Sequence, residues 1–141
     1  MDRLRRLRRL PRAERAVLVE AWLTFLLVDV ALRTLPFARL LAHCSRPARR
    51  PRPSPAAARL AHLVEAAARH VPVRAGCLER ALVLGALLRR RGIAATITIG
   101  VTRHHAGVAA HAWVEHDGAI VLGAAGGEFT PLLSAVVGAA P

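Results

Sequence analysis

The chain contains no lysine and no tyrosine. All 21 of its basic residues are arginine, set against nine acidic ones, for a net charge of +12. A module that reads nucleic acid through such a charge needs a recognition element or an aromatic stacking platform. Three Phe and two Trp supply no platform, and the arginines are scattered over several segments. A specific nucleic-acid site is therefore not expected. Arg, Ala, Gly and Pro all have GC-rich codons, so genomic base composition accounts for part of the basicity. What remains favours acidic partners and adds weak, non-specific affinity for polyanions. With so few aromatics, aliphatic side chains and alanine must build the core.

Cysteine is scarce. Cys44 and Cys77 give neither a disulfide framework nor a zinc-binding spacing. A secretory signal is missing too: the N-terminus is basic, but the apolar stretch after it is interrupted and no small-residue cleavage site ends it. The longest apolar run near it, residues 21–28, is flanked by Glu20 and Asp29. Crossing a bilayer takes about 20 mostly apolar residues, so no transmembrane segment is expected. The expected location is the cytoplasm, with both thiols reduced. A basic helix resting weakly on an anionic lipid surface is the secondary reading of the N-terminus.

What is present suggests one domain with an N-terminal accessory part: 141 residues, 54% of them apolar, are enough for a sizeable core. Residues 1–15 carry seven Arg, with Leu4, Leu7 and Leu10 at helical spacing, until Pro11 interrupts. A second helix is expected from residue 13 to about 35. Residues 46–55 hold four Pro and four Arg and read as an extended linker. A helical pattern resumes over 56–70 through Leu60, Leu63, Val64 and Ala67. After Pro72 and a short loop, residues 77–91 form a helix that is apolar nearly all round, which belongs in the centre of a domain. Arg89, Arg90 and Arg91 complement the negative end of its dipole, and Gly92 fits its C-cap.

The pattern then turns to strand. Residues 96–101 alternate apolar and polar with β-branched side chains. Residues 102–108 read as a loop, 110–116 as a second strand, Asp117-Gly118 as a two-residue hairpin turn and 119–122 as a third strand. Residues 123–127 are glycine-rich, and 129–137 form a short apolar segment that closes over the sheet. Helices followed by an antiparallel sheet make an α+β architecture.

Two residues carry chemistry. Cys77 stands where a loop enters the buried helix, and the amides and dipole of a helix N-terminus stabilise a thiolate. The same amides can donate to an oxyanion. A lone cysteine is more often a small buried packing group, so its setting and the histidine downstream matter. His111 lies on a strand, on the face it shares with Trp113 and Glu115. It suits a general base to the thiol, with its second nitrogen held by an acceptor; pairing with a neighbouring carbonyl for purely structural reasons is the competing account.

Gly76-Cys77-Leu78-Glu79-Arg80-Ala81-Leu82-Val83-Leu84, then Leu87 to Ile93, Ile99-Gly100-Val101, His111-Ala112-Trp113-Val114-Glu115 and Asp117-Gly118 together resemble the leader peptidases of lasso-peptide biosynthesis. These are transglutaminase-like proteins related to the C-terminal half of the McjB microcin-maturation protein. The resemblance covers residues 56–122. It implies a papain/transglutaminase-like cysteine peptidase core over 56–141, behind an N-terminal helical segment (1–45) and the linker (46–55). It implies removal of a leader from a ribosomally made precursor peptide, freeing the amine that a separate cyclase joins to an acidic side chain. Fused relatives carry a leader-binding domain ahead of the peptidase. Here the N-terminal part is shorter and helical, so a separate leader-binding protein is the implied partner, with the cyclase as a further one. No cofactor is implied.

The family triad ends in an Asp on the strand after the His, and this chain has Gly123 near that place. Asp117 is roughly 20 Å along the strand from His111, and Glu115 about 13 Å, at about 3.3 Å per residue. A hairpin at Asp117-Gly118 brings the region of Ala124 opposite His111, which leaves Glu128 as the acid that a folded-back glycine-rich segment would deliver. A backbone carbonyl as the acceptor, and hence a dyad, is the other possibility. Two rival functions stand beside the peptidase. One is a transglutaminase-fold protein that binds peptide without catalysis. The other is a metal hydrolase using His104, His105, His111 and His116, but His111 and His116 are five apart on a strand and face opposite sides.

Overall fold

The structure, a computed structural model, describes residues 9–47, 55–124 and 126–139. The basic run at residues 1–8 and most of the expected linker, residues 48–54, lie outside it. Helix α1 spans Arg12–Thr34 and opens directly after Pro11, whose carbonyl accepts the Arg15 amide at 3.1 Å. Its buried residues are Val17, Ala21, Thr24, Phe25 and Val28, one stripe at helical spacing. Leu35 is extended, as a residue before proline must be, and Pro36 opens a further helix, α2, over Phe37–Cys44. This helix falls within the expected N-terminal helical segment (1–45), which the sequence did not divide at Pro36.

Helix α3 covers Ala57–Ala68, and α4 covers Cys77–Arg91 with the bounds expected of it. Gly92 ends α4 in the left-handed conformation at φ 67°. Four strands follow: β1 (Ala95–His104), β2 (Gly107–His116), β3 (Ala119–Leu122) and β4 (Thr130–Val137). They form one antiparallel sheet in the order β3-β2-β1-β4. Asp117 and Gly118 both have positive φ, 50° and 76°, as a tight hairpin turn with right-handed strands requires.

Two expectations change. The segment read as a loop over 102–108 is mostly strand, because β1 and β2 stay paired out to His104 and Gly107. Once a hairpin ladder starts, main-chain pairing continues through residues whose side chains face solvent. The segment expected to close over the sheet instead joins it: β4 pairs with β1 and forms an edge.

One core unites the helices and the sheet. Phe25 of α1, Leu60 and Val64 of α3, Leu84 and Leu87 of α4, and Ile97 and Val114 of the sheet are all fully buried. The N-terminal helices thus share their core with residues 57–137. Helix α4 approaches β1 so closely that a Cβ on Gly85 would stand 2.5 Å from Ile97 Cδ1. Ionic groups lock α1 to α4. Glu20 accepts from Arg91 at 2.6 Å and from Arg90 at 3.0 Å. Burial pushes the Glu20 carboxyl up, but hydrogen bonds from Arg91 and Arg90 outweigh it and leave its pKa lowered. The fold is α+β, four helices and an antiparallel sheet among the described residues.

Candidate active site

Cys77 is the first residue of α4 and is a free, half-buried thiol. The loop before it is held by Arg80, which donates Nε–H to the Ala75 carbonyl at 2.8 Å and Nη1–H to Glu65 at 2.8 Å. The Arg80 amide also closes the first turn on the Gly76 carbonyl at 3.1 Å. The amides ahead of it in the turn, those of Cys77, Leu78 and Glu79, have no acceptor within the helix. They form the donor set that an anion beside the thiol would meet. Glu79 is buried, and its carboxyl lies over Gly76, where a Cβ would stand 2.8 Å from Oε2. Its one described ion pair is with the exposed Arg74, at 3.7 Å. Sequence reasoning passed over Glu79. Its signal is the third helical position, where a carboxyl returns toward the helix start.

His111 sits on β2 opposite Gly100 of β1. Its Nε2 lies 2.6 Å from the Gly123 carbonyl oxygen. A carbonyl only accepts, so Nε2 carries the proton and Nδ1 keeps a lone pair. The imidazole is thereby fixed in the tautomer of a base. Rings frame it: Trp113 is stacked at 6.2 Å between centroids and Phe129 is tilted at 5.2 Å. Gly100 makes room for this, since a Cβ there would stand 2.9 Å from the Trp113 ring. Gly123 has φ 83°, and a Cβ on it would meet the Ala112 carbonyl oxygen at 2.6 Å. Glycine is thus required on both conformational and steric grounds. At the place where the resemblance calls for a carboxylate, the chain supplies a main-chain carbonyl.

The structure does not bring every expected site residue together. Among the described residues no hydrogen bond joins Cys77 to His111. Alternation sets His111 and Trp113 on one sheet face, and Ala112 and Val114 on the other, buried one. Helix α4 packs on that buried face: Val114 pairs with Ile97, which Gly85 touches. Glu128 is exposed, and the acceptor on His111 is the Gly123 carbonyl, not Glu128. His104 is exposed at the end of β1, His105 is exposed in the turn, and His116 bonds the Ala94 carbonyl at 2.7 Å. No group of three or more His, Cys, Asp or Glu among the described residues is arranged to hold a metal. Likewise, no described helix is long and apolar enough to cross a membrane.

Comparison with known proteins adds to this geometry. The family model of the transglutaminase-like superfamily matches residues 22–134. The chain belongs to the transglutaminase-like superfamily. The match begins within α1 and ends within β4, so it takes in helices and sheet together. A fold of this superfamily commonly serves cysteine peptidases, and the chain is a cysteine-peptidase-like domain in that sense. Searches of curated proteins and of solved structures gave no match.

Proposed function

We propose that this protein is a cysteine peptidase that removes the leader from a ribosomally made lasso-peptide precursor. It works with a separate leader-binding protein and ahead of a macrolactam-forming cyclase. The observation that carries the reading is the joint setting of two residues in a transglutaminase-like fold. Cys77 heads the buried helix, and His111 is held by the Gly123 carbonyl with Nδ1 free to take a proton. In the proposed reaction Nδ1 accepts the Cys77 thiol proton and the thiolate attacks the scissile carbonyl. Helix-terminal amides receive the oxyanion. The C–N bond breaks as the imidazolium returns the proton to the leaving amine, and water then hydrolyses the thioester. His111 lies on the sheet face away from α4, so the thiol–imidazole hydrogen bond this needs requires β2 or the head of α4 to rearrange when substrate binds, more than a tightening of an existing contact. Glu128 has no role in this scheme; a carboxylate there would act only by reaching the imidazole.

The test is cleavage of the precursor, with its leader-binding protein present, read by mass spectrometry. Cys77→Ala should abolish leader release and keep the wild-type melting curve; cleavage at the wild-type rate would end the proposal. Thiol alkylation should inhibit and chelation should not, and the reverse would point to a metal hydrolase. A second reading has a specific observation behind it: the chain lacks the family carboxylate and has no thiol–imidazole hydrogen bond. On that reading the protein binds the precursor without cutting it, and the same assay would show binding with no product.

A further inference from the structure

Helix α1 presents an unusual outer face. On a surface helix the side facing water is normally polar. Here Val19, Leu23, Leu27 and Val30 are 60%, 51%, 63% and 57% exposed. They follow one another at helical spacing over roughly 16 Å, about three turns. The core does not need them, because α1 buries a different stripe through Val17, Ala21, Phe25 and Val28.

Leu27 also belongs to the wall of a cleft of about 450 Å³ between α1, α2 and α4. Apolar side chains form its floor, and Arg39, Arg46, Arg89 and Arg90 line it without a single carboxylate. Arg90 is engaged with Glu20 and Thr24. Arg39, Arg46 and Arg89 have no carboxylate partner among the described residues. Arg89 spends one hydrogen bond on His43 Nε2 at 3.4 Å, and its Nε–H is buried with no acceptor. The positive field is felt locally: partial burial and the charges of Arg89, Arg46 and Arg90 hold His43 below the ordinary imidazole range.

We propose that this stripe and cleft form the docking surface for an acidic amphipathic helix of a partner protein. The partner's apolar side chains lie along Val19, Leu23 and Leu27, and its carboxylates enter the cleft to meet Arg39, Arg46 and Arg89. Charge decides the occupant. A second copy would set a +12 chain against another +12 chain. The chain's own residues 48–54 carry Arg49, Arg50 and Arg52 and no acid, so they have the wrong sign. A flat bilayer would meet the stripe but would not fill the cleft between α1, α2 and α4, whose arginine lining calls for carboxylates that reach into it. The leader-binding protein is the occupant only if the reading under Proposed function holds; the docking itself stands apart from Cys77.

The experiment titrates the full chain into a fluorescent helical peptide, with Leu at i, i+4 and i+7 flanked by Glu, and reads anisotropy. A peptide with Lys in place of Glu and phosphatidylglycerol vesicles are run beside it. The Glu peptide should bind at least about tenfold more tightly than the Lys peptide, and less tightly as salt rises. Arg39→Glu with Arg46→Glu, and separately Leu23→Ser with Leu27→Ser, should each weaken it by about tenfold or more with unchanged melting curves. All four positions are exposed. Cys77→Ala should bind the peptide normally, so failure of docking and failure of the peptidase reading are told apart. Equal binding of the two peptides, or full binding by the charge-reversed pair, would overturn the proposal. Vesicle binding in place of peptide binding would overturn it too, and would assign the face to membrane.

Discussion

The two cysteines sit at opposite ends of helices, and their surroundings differ accordingly. Cys44 is the last residue of α2, where main-chain carbonyls and the negative end of the dipole gather. It is 5% exposed, and burial pushes its thiol pKa up although Arg89 and Arg90 pull the other way. Cys77 is the first residue of α4, half-buried, with unpaired amides around it. One thiol is packing material, and the other stands at the donor end of a helix. Position on a helix, more than residue type, separates them.

The comparison can be broken at several points. The largest effect should come from His111→Ala. If the imidazole serves Cys77 as base, leader cleavage falls by about 10²–10⁴ in single-turnover assays. A rate within a few-fold of wild type would leave Cys77 without its partner. Next is Gly123→Ala, which forces a Cβ against the Ala112 carbonyl at positive φ. We expect a loss of about 1–3 kcal/mol in denaturant unfolding, and slower cleavage as the His111 acceptor shifts. Unchanged stability would mean the turn relaxes freely.

A third change tests the scaffold behind both thiols. Glu20→Gln removes a carboxylate held by Arg90 and by Arg91, whose side chain is 6% exposed. It should cost about 2 kcal/mol at neutral pH. Because the folded carboxyl is lowered from 4.5, its contribution is complete above that value and is lost at lower pH, as pH falls through the depressed folded value. Acid unfolding of Glu20→Gln should therefore start from a lower plateau and lose less on the way down. Identical acid curves for the two proteins would refute the pairing. The smallest effect belongs to Cys44→Ala, about 1 kcal/mol of stability with no change in cleavage. A loss of cleavage there would erase the distinction between the two thiols.

How much of this was legible in the sequence depended on whether a feature had a local chemical signature. Helix α4 was readable to the residue because Gly76 and Gly92 bracket one apolar run. The turn at Asp117-Gly118 was readable because few residues accept two successive positive φ values. Helix α2 was not, since Leu35-Pro36 marks a break without saying whether a helix follows. The length of the β1–β2 hairpin was hidden because main-chain pairing extends past the β-branched run into His104 and Gly107. Cys77 and His111 were both visible as residue types in their settings. The acceptor on His111 was not: a carbonyl looks the same at every residue, and Gly123 looked only like a missing acid. Its positive φ and the contact with Ala112 emerge only when the strands are placed. The outer face of α1 was present in the sequence as apolar residues on more than one side of the helix, but only burial shows which side is left in water.

The most direct test of the account labels the native protein with iodoacetamide and follows intact mass, the modified residue and precursor cleavage together. The account predicts that Cys77 is modified first, that cleavage is lost in proportion to that single label, and that Cys44 reacts only once the chain unfolds. Prior modification of Cys44, or full cleavage by protein completely labelled at Cys77, would contradict it.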